Sequence, residues 1–326
     1  MKNTILSLAA VAAMATAAAA ALEFVPVAGW PMLPPGKAQI GNMHGDVGVS
    51  SAGEVYVSVQ DPQGGLQVYA DDGTYLRTIA SAPPDFHGFV IRQQADGEFL
   101  YGARMRGQEA LKMTLGGTVV LTLAASSIPE EFKNKNEKTG AANVLFTSVD
   151  VAPNGDIYVA DGYASDYVHR FSSRGTYLSS FGGRKEPYSF NTLHKIAIDT
   201  RFQPARIIGT DRANNRVVHL SLDGRFLGVV AADLLLPAAV TISGDYAIVA
   251  ELGGRVTLLD KAGAVAGRLG ANTGEGVGTN KLPPDLWKTG LFLSPHGVAL
   301  NARGDLFVSE FSAFGRVHRF NLAGSR

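Results

Sequence analysis

The sequence predicts an all-β protein, a six-bladed β-propeller that forms a single domain. The 326 residues include 38 glycines and contain a repeated unit of four short strands joined by glycine turns. The clearest copy runs from Phe146 to Gly183, and the first strand of the unit recurs near residues 44, 87, 147, 194, 238 and 296. Six units of four strands are typical of a propeller, in which each blade packs against its neighbours.

The last repeat lacks its outer strand. It ends near Asn321 to Gly324, where the other repeats continue into a fourth strand such as GRFLGVV or GTYLSSF. The segment from Leu22 to Gly29 reads as a strand that belongs to no other repeat. We therefore predict that it completes the sixth blade, because this leaves no strand edge exposed between the first and last blades.

Residues 1–21 have the pattern of a secretory signal peptide. Lys2 is the only charged residue, the apolar core runs from Ile5 to Met14, and Ala19 to Ala21 suit cleavage after small residues. An uncleaved membrane anchor is the alternative, but the strongly apolar core is short for a membrane span. The sequence thus predicts a periplasmic or secreted propeller at residues 22–326, with no membrane span after cleavage, and we expect a monomer.

Composition excludes several classes of site. The 29 basic and 29 acidic residues balance, so we expect no binding of nucleic acid. Zero cysteines exclude disulfides, thiolate zinc ligands and a cysteine nucleophile.

The seven histidines fall into two sets. Four stand where a first strand begins, namely His44, His87, His194 and His296. Three stand within a later strand of the unit, where we expect them to fill the blade, namely His169, His219 and His318.

Three of the first set belong to alternate blades. His87, His194 and His296 lie in blades 2, 4 and 6, so the fold spaces them a third of a turn apart around the axis. Three imidazoles that leave one position open are typical of a catalytic zinc site. His44 breaks the alternation, and we leave open whether it orients the ligands, relays a proton or has no role. The alternative for the whole set is that each histidine only bonds a turn.

The ends of the second strands lie on the same rim of the propeller as the histidines at the starts of the first strands, because antiparallel strands return the chain to the face where it began. The residues at these ends are Asp61, Arg104, Asp161, Tyr163, Asp211, Arg212, Glu251 and Glu310. For Asp161 and Asp211 we favour a structural role, since such acids commonly hold turns together.

The segments VADGYASDYVHRF (159–171) and LHKIAIDTRFQPARIIGTDRANNRV (193–217), with the spaced histidines, resemble a known family. It is the peptidyl-α-hydroxyglycine α-amidating lyases (peptidylamidoglycolate lyases) among the NHL- or TolB-like six-bladed propellers. The resemblance implies zinc on His87, His194 and His296, a catalytic Tyr163, and Arg212 lining the site. It implies cleavage of the C–N bond of a carbinolamide with release of glyoxylate.

Three features depart from that family. Its arginine at the end of the second strand of blade 1 is replaced by Val59-Gln60-Asp61, and its disulfides are absent. Its acidic residue after the third zinc histidine, a ligand of a structural Ca²⁺, is Gly297 here.

The family's chemistry implies that Tyr163 acts as the general base. It also implies that Arg212 or Arg104 binds a carboxylate of a small-molecule or peptide-derived substrate. Two other functions stay open. One is a non-catalytic scaffold for a periplasmic protein or a glycan. The other is a lactonase-like hydrolase with Ca²⁺ on oxygen ligands, for which Glu251, Glu310 and Asp161 are available.

Overall fold

A computed structural model describes residues 22–135 and 142–324 as six four-stranded antiparallel sheets arranged as the blades of a propeller. The predicted fold class is confirmed. The predicted signal peptide, residues 1–21, lies outside the described residues. None of the helices in the described ranges is both long enough and apolar enough to span a membrane.

The first strand and blades 1 and 2 are β1 (Phe24–Val27), β2 (Val47–Val49), β3 (Val55–Ser58), β4 (Leu66–Tyr69), β5 (Tyr75–Ile79), β6 (Phe86–Gln94), β7 (Gly97–Arg104), β8 (Glu109–Thr114) and β9 (Val119–Ala124). A small hairpin and blade 3 are β10 (Asn134–Lys135), β11 (Ala142–Asn143), β12 (Ser148–Val151), β13 (Ile157–Ala160), β14 (Tyr167–Phe171) and β15 (Tyr177–Gly182).

Blades 4 and 5 are β16 (Leu193–Asp199), β17 (Arg206–Asp211), β18 (Arg216–Ser221), β19 (Phe226–Ala231), β20 (Pro237–Ser243), β21 (Tyr246–Glu251), β22 (Arg255–Leu259) and β23 (Val265–Leu269). Blade 6 adds β24 (Pro295–Leu300), β25 (Leu306–Glu310) and β26 (Arg316–Leu322) to β1. Four 3₁₀ turns lie at Ala125–Ser127, Glu130–Phe132, Arg212–Asn214 and Pro284–Leu286.

The core lies between neighbouring blades. In blade 3, β13 is buried along its whole length, because both faces of the sheet are covered. Its Tyr158 and Ala160 pack against Ile196 and Ile207 of blade 4. This explains why the inner strands are almost continuously apolar rather than alternating, and it makes each blade depend on its neighbours for stability.

The N-terminal strand closes the propeller as predicted. β1 pairs antiparallel with β26, from Phe24 opposite Leu322 to Val27 opposite Arg319. Phe24 is 8% exposed and belongs to the apolar cluster between blades 5 and 6. The first and last strands of the chain thus share one sheet.

Deletion of residues 23–27 is expected to destabilise the whole domain. It removes the β1–β26 ladder, uncovers the edge of blade 6 and removes Phe24 from the core. Thermal unfolding would show a lower Tm for the deletion than for the mature chain. An unchanged Tm would show that closure by β1 contributes nothing to stability.

The inner strands β2, β6, β12, β16, β20 and β24 contact one another in sequence around the axis. Residues at the start of these strands therefore face a common centre. This arrangement brings the predicted site together.

Candidate metal centre

The four histidines that precede or begin inner strands meet at the axis. We call His44, His87, His194 and His296 the histidine cluster. The ring centroids of His87, His194 and His296 form a triangle with sides of 4.7, 4.8 and 4.9 Å. The predicted convergence of blades 2, 4 and 6 is thus what the structure shows.

His44 of blade 1 also belongs to the cluster. Its ring lies 4.9 Å from that of His87 and 5.0 Å from that of His296. Among the described residues, the ring nitrogens that lie within 4.8 Å of one another belong to His44, His87 and His296. The sequence favoured His194 in place of His44 in that group; the His194 ring lies 4.7 Å from that of His87 and 4.9 Å from that of His296.

His44 precedes the inner strand of blade 1 and is placed by contacts with blade 6. The preceding Met43 exchanges two backbone hydrogen bonds with Ser312 of the β25–β26 connection. The His44 ring packs against Phe311 at 4.5 Å. Contacts to blade 6 therefore fix its position.

The hydroxyl of Tyr163 lies at the centre of the cluster. Its oxygen is 2.9 Å from Nε2 of His194, 3.1 Å from Nε2 of His87 and 3.4 Å from Nε2 of His44. Nη1 of Arg212 donates to the same oxygen at 3.1 Å. Of the two residues that the resemblance singled out, Tyr163 thus contacts the predicted metal ligands and Arg212 contacts Tyr163.

Two of the histidines present lone pairs to that oxygen. Nδ1 of His87 is 2.8 Å from the carbonyl of Thr147, and Nδ1 of His194 is 2.6 Å from the carbonyl of Ala238. Carbonyl oxygens only accept, so both Nδ1 atoms carry hydrogen and both Nε2 atoms of the neutral rings are acceptors. Blades 3 and 5, which lack the histidine, supply these carbonyls.

The cluster has more acceptors than protons. The Tyr163 hydroxyl has one hydrogen and can satisfy only one of the two Nε2 atoms, while Arg212 donates to the oxygen and adds no proton for the imidazoles. Both ring nitrogens of His296 are buried without a hydrogen-bond partner in the part of the chain that is described. Buried lone pairs that converge in this way fit a cation.

Burial keeps the cluster neutral. His87, His194 and His296 are each 2% exposed, and desolvation lowers the pKa of each well below the usual value. Burial first, and then the charges of Arg212 and Arg106, lower the pKa of His44 to about 4. The imidazoles are therefore in the form that binds metals at neutral pH.

Burial raises the pKa of Tyr163, and the nearby guanidinium of Arg212 opposes this change without reversing it. The phenol is therefore protonated at neutral pH in this arrangement.

The loop that carries Tyr163 is tied to the strand that carries His194. Asp166 accepts from the backbone N–H of Leu193 at 2.7 Å and pairs with Arg184 at 2.8 Å. Gly162 lies so close to this strand that an added Cβ would stand 2.2 Å from the carbonyl oxygen of Leu193. Larger residues at this position would push Tyr163 away from the cluster.

The two acids that we expected to hold turns do so. Asp161 accepts from the backbone of Leu145 at 2.6 Å and from the Ser165 hydroxyl. Asp211 accepts from the backbone of Asn191 at 2.8 Å and pairs with Arg216 at 2.7 Å. These contacts support the loops that carry Tyr163 and Arg212.

Arg104, the other arginine that the sequence offered for a substrate carboxylate, forms two ion pairs. Its Nε pairs with Asp85 at 2.8 Å and its Nη1 with Glu109 at 2.5 Å. Two acids thus engage two of its three nitrogens. The exposed Arg106, in the same hairpin, is close enough to His44 to lower the pKa of that imidazole, and no sequence pattern singled it out.

The second set of histidines fills blades, as predicted. His169 bonds the Ser180 hydroxyl at 2.7 Å, His219 bonds Asp199 at 3.0 Å, and His318 bonds Glu310 at 2.9 Å. Each lies on the third strand of its blade, β14, β18 or β26, away from the axis.

The carboxylates considered for calcium are engaged elsewhere. Glu251 bonds Arg255, Thr257 and the backbone of Leu235. Glu310 bonds His318 and the backbone of Leu293. At Gly297 an added Cβ would stand 2.6 Å from a carboxylate oxygen of Asp46, so no acidic side chain fits there. The donor set at the axis fits an imidazole-binding metal and does not fit calcium.

Comparison with known proteins identifies the fold. No family model matches the chain, and no curated protein resembles it in sequence. A gluconolactonase of Xanthomonas campestris has a TM-score of 0.61 and 11% identity, covering 92% of this chain and 97% of that one. A streptogramin B lyase has a TM-score of 0.58 and 12% identity over 92% and 97%.

A catalytically inactive histidine-to-alanine variant of virginiamycin B lyase from Staphylococcus aureus, solved with quinupristin, has a TM-score of 0.53 and 13% identity, covering 93% of this chain and 89% of that one. At such low identity these similarities establish the six-bladed propeller and nothing finer. The resemblance to amidating lyases is not confirmed by the comparisons.

Proposed function

We propose that this protein is a metal-dependent lyase whose histidine cluster binds zinc and whose substrate is an α-hydroxyglycine-type carbinolamide. The proposal rests on one observation: the buried imidazole lone pairs of the histidine cluster converge beside the phenol of Tyr163, which the guanidinium of Arg212 contacts. The resemblance of the segments around Tyr163 and Arg212 to amidating lyases supports the choice of reaction. The leader at residues 1–21 supports a periplasmic or secreted enzyme.

His87, His194 and His296 are the proposed ligands, and His44 is the fourth imidazole at the same centre. Nitrogen donors without thiolates or carboxylates suit zinc among the metals available to proteins, although other first-row metals bind imidazole too. A bound zinc ion would lower the pKa of a hydroxyl group that it contacts.

Tyr163 is positioned to move one proton. In the proposed reaction Tyr163 first releases its own proton to solvent, since Arg212 and a bound cation would both favour the phenolate. The phenolate then takes the proton of the substrate hydroxyl, a C=O bond forms and the C–N bond breaks. The same proton then passes from Tyr163 to the departing amide nitrogen. The products are an amide and glyoxylate, and no oxidant or water is consumed.

Arg212 has two functions in this scheme. Its Nη1 bonds the Tyr163 oxygen at 3.1 Å, which favours the ionised phenol that must accept the proton. The remaining donors of the guanidinium can form a two-point contact with the carboxylate of the substrate. Because Arg104 is paired with Asp85 and Glu109, Arg212 is the arginine that we assign to this contact.

A lactonase-like hydrolase is the second candidate, favoured by the gluconolactonase among the similar structures. It requires a different metal site, since the carboxylates of Asp161, Glu251 and Glu310 bond other residues of the rim. A non-catalytic scaffold for a periplasmic partner is the third candidate.

Elemental analysis of protein purified without a polyhistidine tag distinguishes the three candidates. We expect about one zinc per chain, and release of glyoxylate from an N-acyl-α-hydroxyglycine. Stoichiometric zinc without glyoxylate release would remove the lyase assignment and leave the metal centre. Calcium in place of zinc would favour the lactonase, and absence of any bound metal would favour the scaffold.

A further inference from the structure

Lys195 and Asp46 form a buried ion pair, and each closely follows a member of the histidine cluster in the sequence. In three of the four blades a glycine follows the histidine, as Gly45, Gly88 and Gly297, but in blade 4 the residue is Lys195. Lys195 is 6% exposed and Asp46, its partner from blade 1, is 2% exposed. A lysine so deeply buried requires a partner that offsets its loss of water.

The contacts of this pair join the blades that carry the cluster. Nζ of Lys195 bonds the Asp46 carboxylate and lies 3.3 Å from the carbonyl oxygen of Phe89, two residues after His87. The same carboxylate oxygen accepts from the backbone N–H of Phe89 at 3.0 Å. Gly297 packs against the other carboxylate oxygen, where only a residue without Cβ fits. Blades 1, 2, 4 and 6 thus meet at Asp46.

The ammonium group contacts two oxygen atoms of the kinds that bind hard cations. A carboxylate oxygen and a backbone carbonyl oxygen from two blades point at one position, and both are among the ligand types that calcium takes in proteins. In this chain a side chain supplies the positive charge. Gly297 packs against the carboxylate from the other side.

We propose that the ammonium group of Lys195 is a built-in structural cation that holds the inner strands of blades 1, 2 and 4 together at the axis. It takes the place of a bound metal ion, so the fold has no requirement for calcium. This inference does not depend on what the histidine cluster binds.

The test compares the melting temperature of the full mature chain with and without millimolar Ca²⁺, after chelator treatment of every sample. The wild-type Tm is expected to be the same in both conditions. Lys195→Ala is expected to melt at a lower temperature, because the Asp46 carboxylate stays buried without a partner, and Ca²⁺ is expected to recover part of the loss by binding there.

Two controls make the result specific. Arg201→Ala breaks another buried pair, with Asp199 at 2.7 Å, and should lower the Tm without rescue by Ca²⁺. Asp46→Asn in the Lys195→Ala background removes the proposed ligand and should abolish the rescue. If Lys195→Ala does not fold, Lys195→Gln is measured in its place, with the same expectations.

Stabilisation of the wild type by Ca²⁺ would overturn the proposal, as would a Lys195→Ala Tm equal to that of the wild type. Rescue that survives Asp46→Asn would also overturn it. Since all samples are free of zinc, failure here is separate from failure of the proposed lyase, which the zinc and glyoxylate measurements decide.

Discussion

His87→Ala is expected to abolish metal binding and turnover together. The His87 ring is adjacent to all three other members of the histidine cluster, at 4.9 Å from His44, 4.7 Å from His194 and 4.8 Å from His296. Its removal therefore disrupts the group of His44, His87 and His296 as well as the predicted set of His87, His194 and His296. We expect a loss of metal affinity greater than the ~10- to 100-fold seen when only a residue behind a ligand is changed. Competition with a chromogenic chelator measures the affinity, and glyoxylate release measures turnover.

His169→Ala is the matched control, because His169 is buried and bonds Ser180 but lies on β14, away from the axis. It should lower stability and leave metal binding unchanged. His44→Ala measured beside it decides the role of blade 1. If His44→Ala abolished metal binding while His87→Ala did not, the assignment of ligands to blades 2, 4 and 6 would be wrong.

Tyr163→Phe is expected to keep the metal and lose most of the turnover. The change removes only the hydroxyl that contacts His87, His194 and Arg212, and it leaves the imidazole nitrogens in place. Loss of a general acid or base typically reduces turnover about 10²- to 10⁴-fold. Metal content and the rate of glyoxylate release, measured on one preparation, test both halves of the expectation.

Tyr177→Phe is the matched control, since the Tyr177 hydroxyl bonds Ser180 within blade 3 and does not contact the cluster. Its turnover should equal that of the wild type. Full activity in Tyr163→Phe would show that the phenol moves no proton in the rate-limiting step, and loss of the metal would show that its role is structural.

The sequence determined the number of blades, the closure by β1 and the meeting of His87, His194 and His296. The blades and the histidines follow from periodicity, since equivalent positions in alternate repeats must face the same axis. The closure follows from the incomplete sixth repeat and the strand at the start of the propeller that belongs to no other repeat. The separate set of strand histidines followed from the same register.

Tertiary structure decided which side chains lie at the centre. A repeat fixes where a backbone position lies, but neighbours that are distant in sequence fix where its side chain points and what it bonds. His44 joins the cluster through contacts with Ser312 and Phe311 of blade 6. Arg104 pairs with Asp85 and Glu109, which the repeat did not indicate.

The pairing of Asp46 with Lys195 likewise joins residues 149 positions apart. The sequence indicates this pair at one point only: a lysine follows His194, whereas a glycine follows each of the other three histidines. The repeat placed both residues beside the axis, but only the folded structure brought their charges into contact, because burial requires each to find a partner of opposite sign.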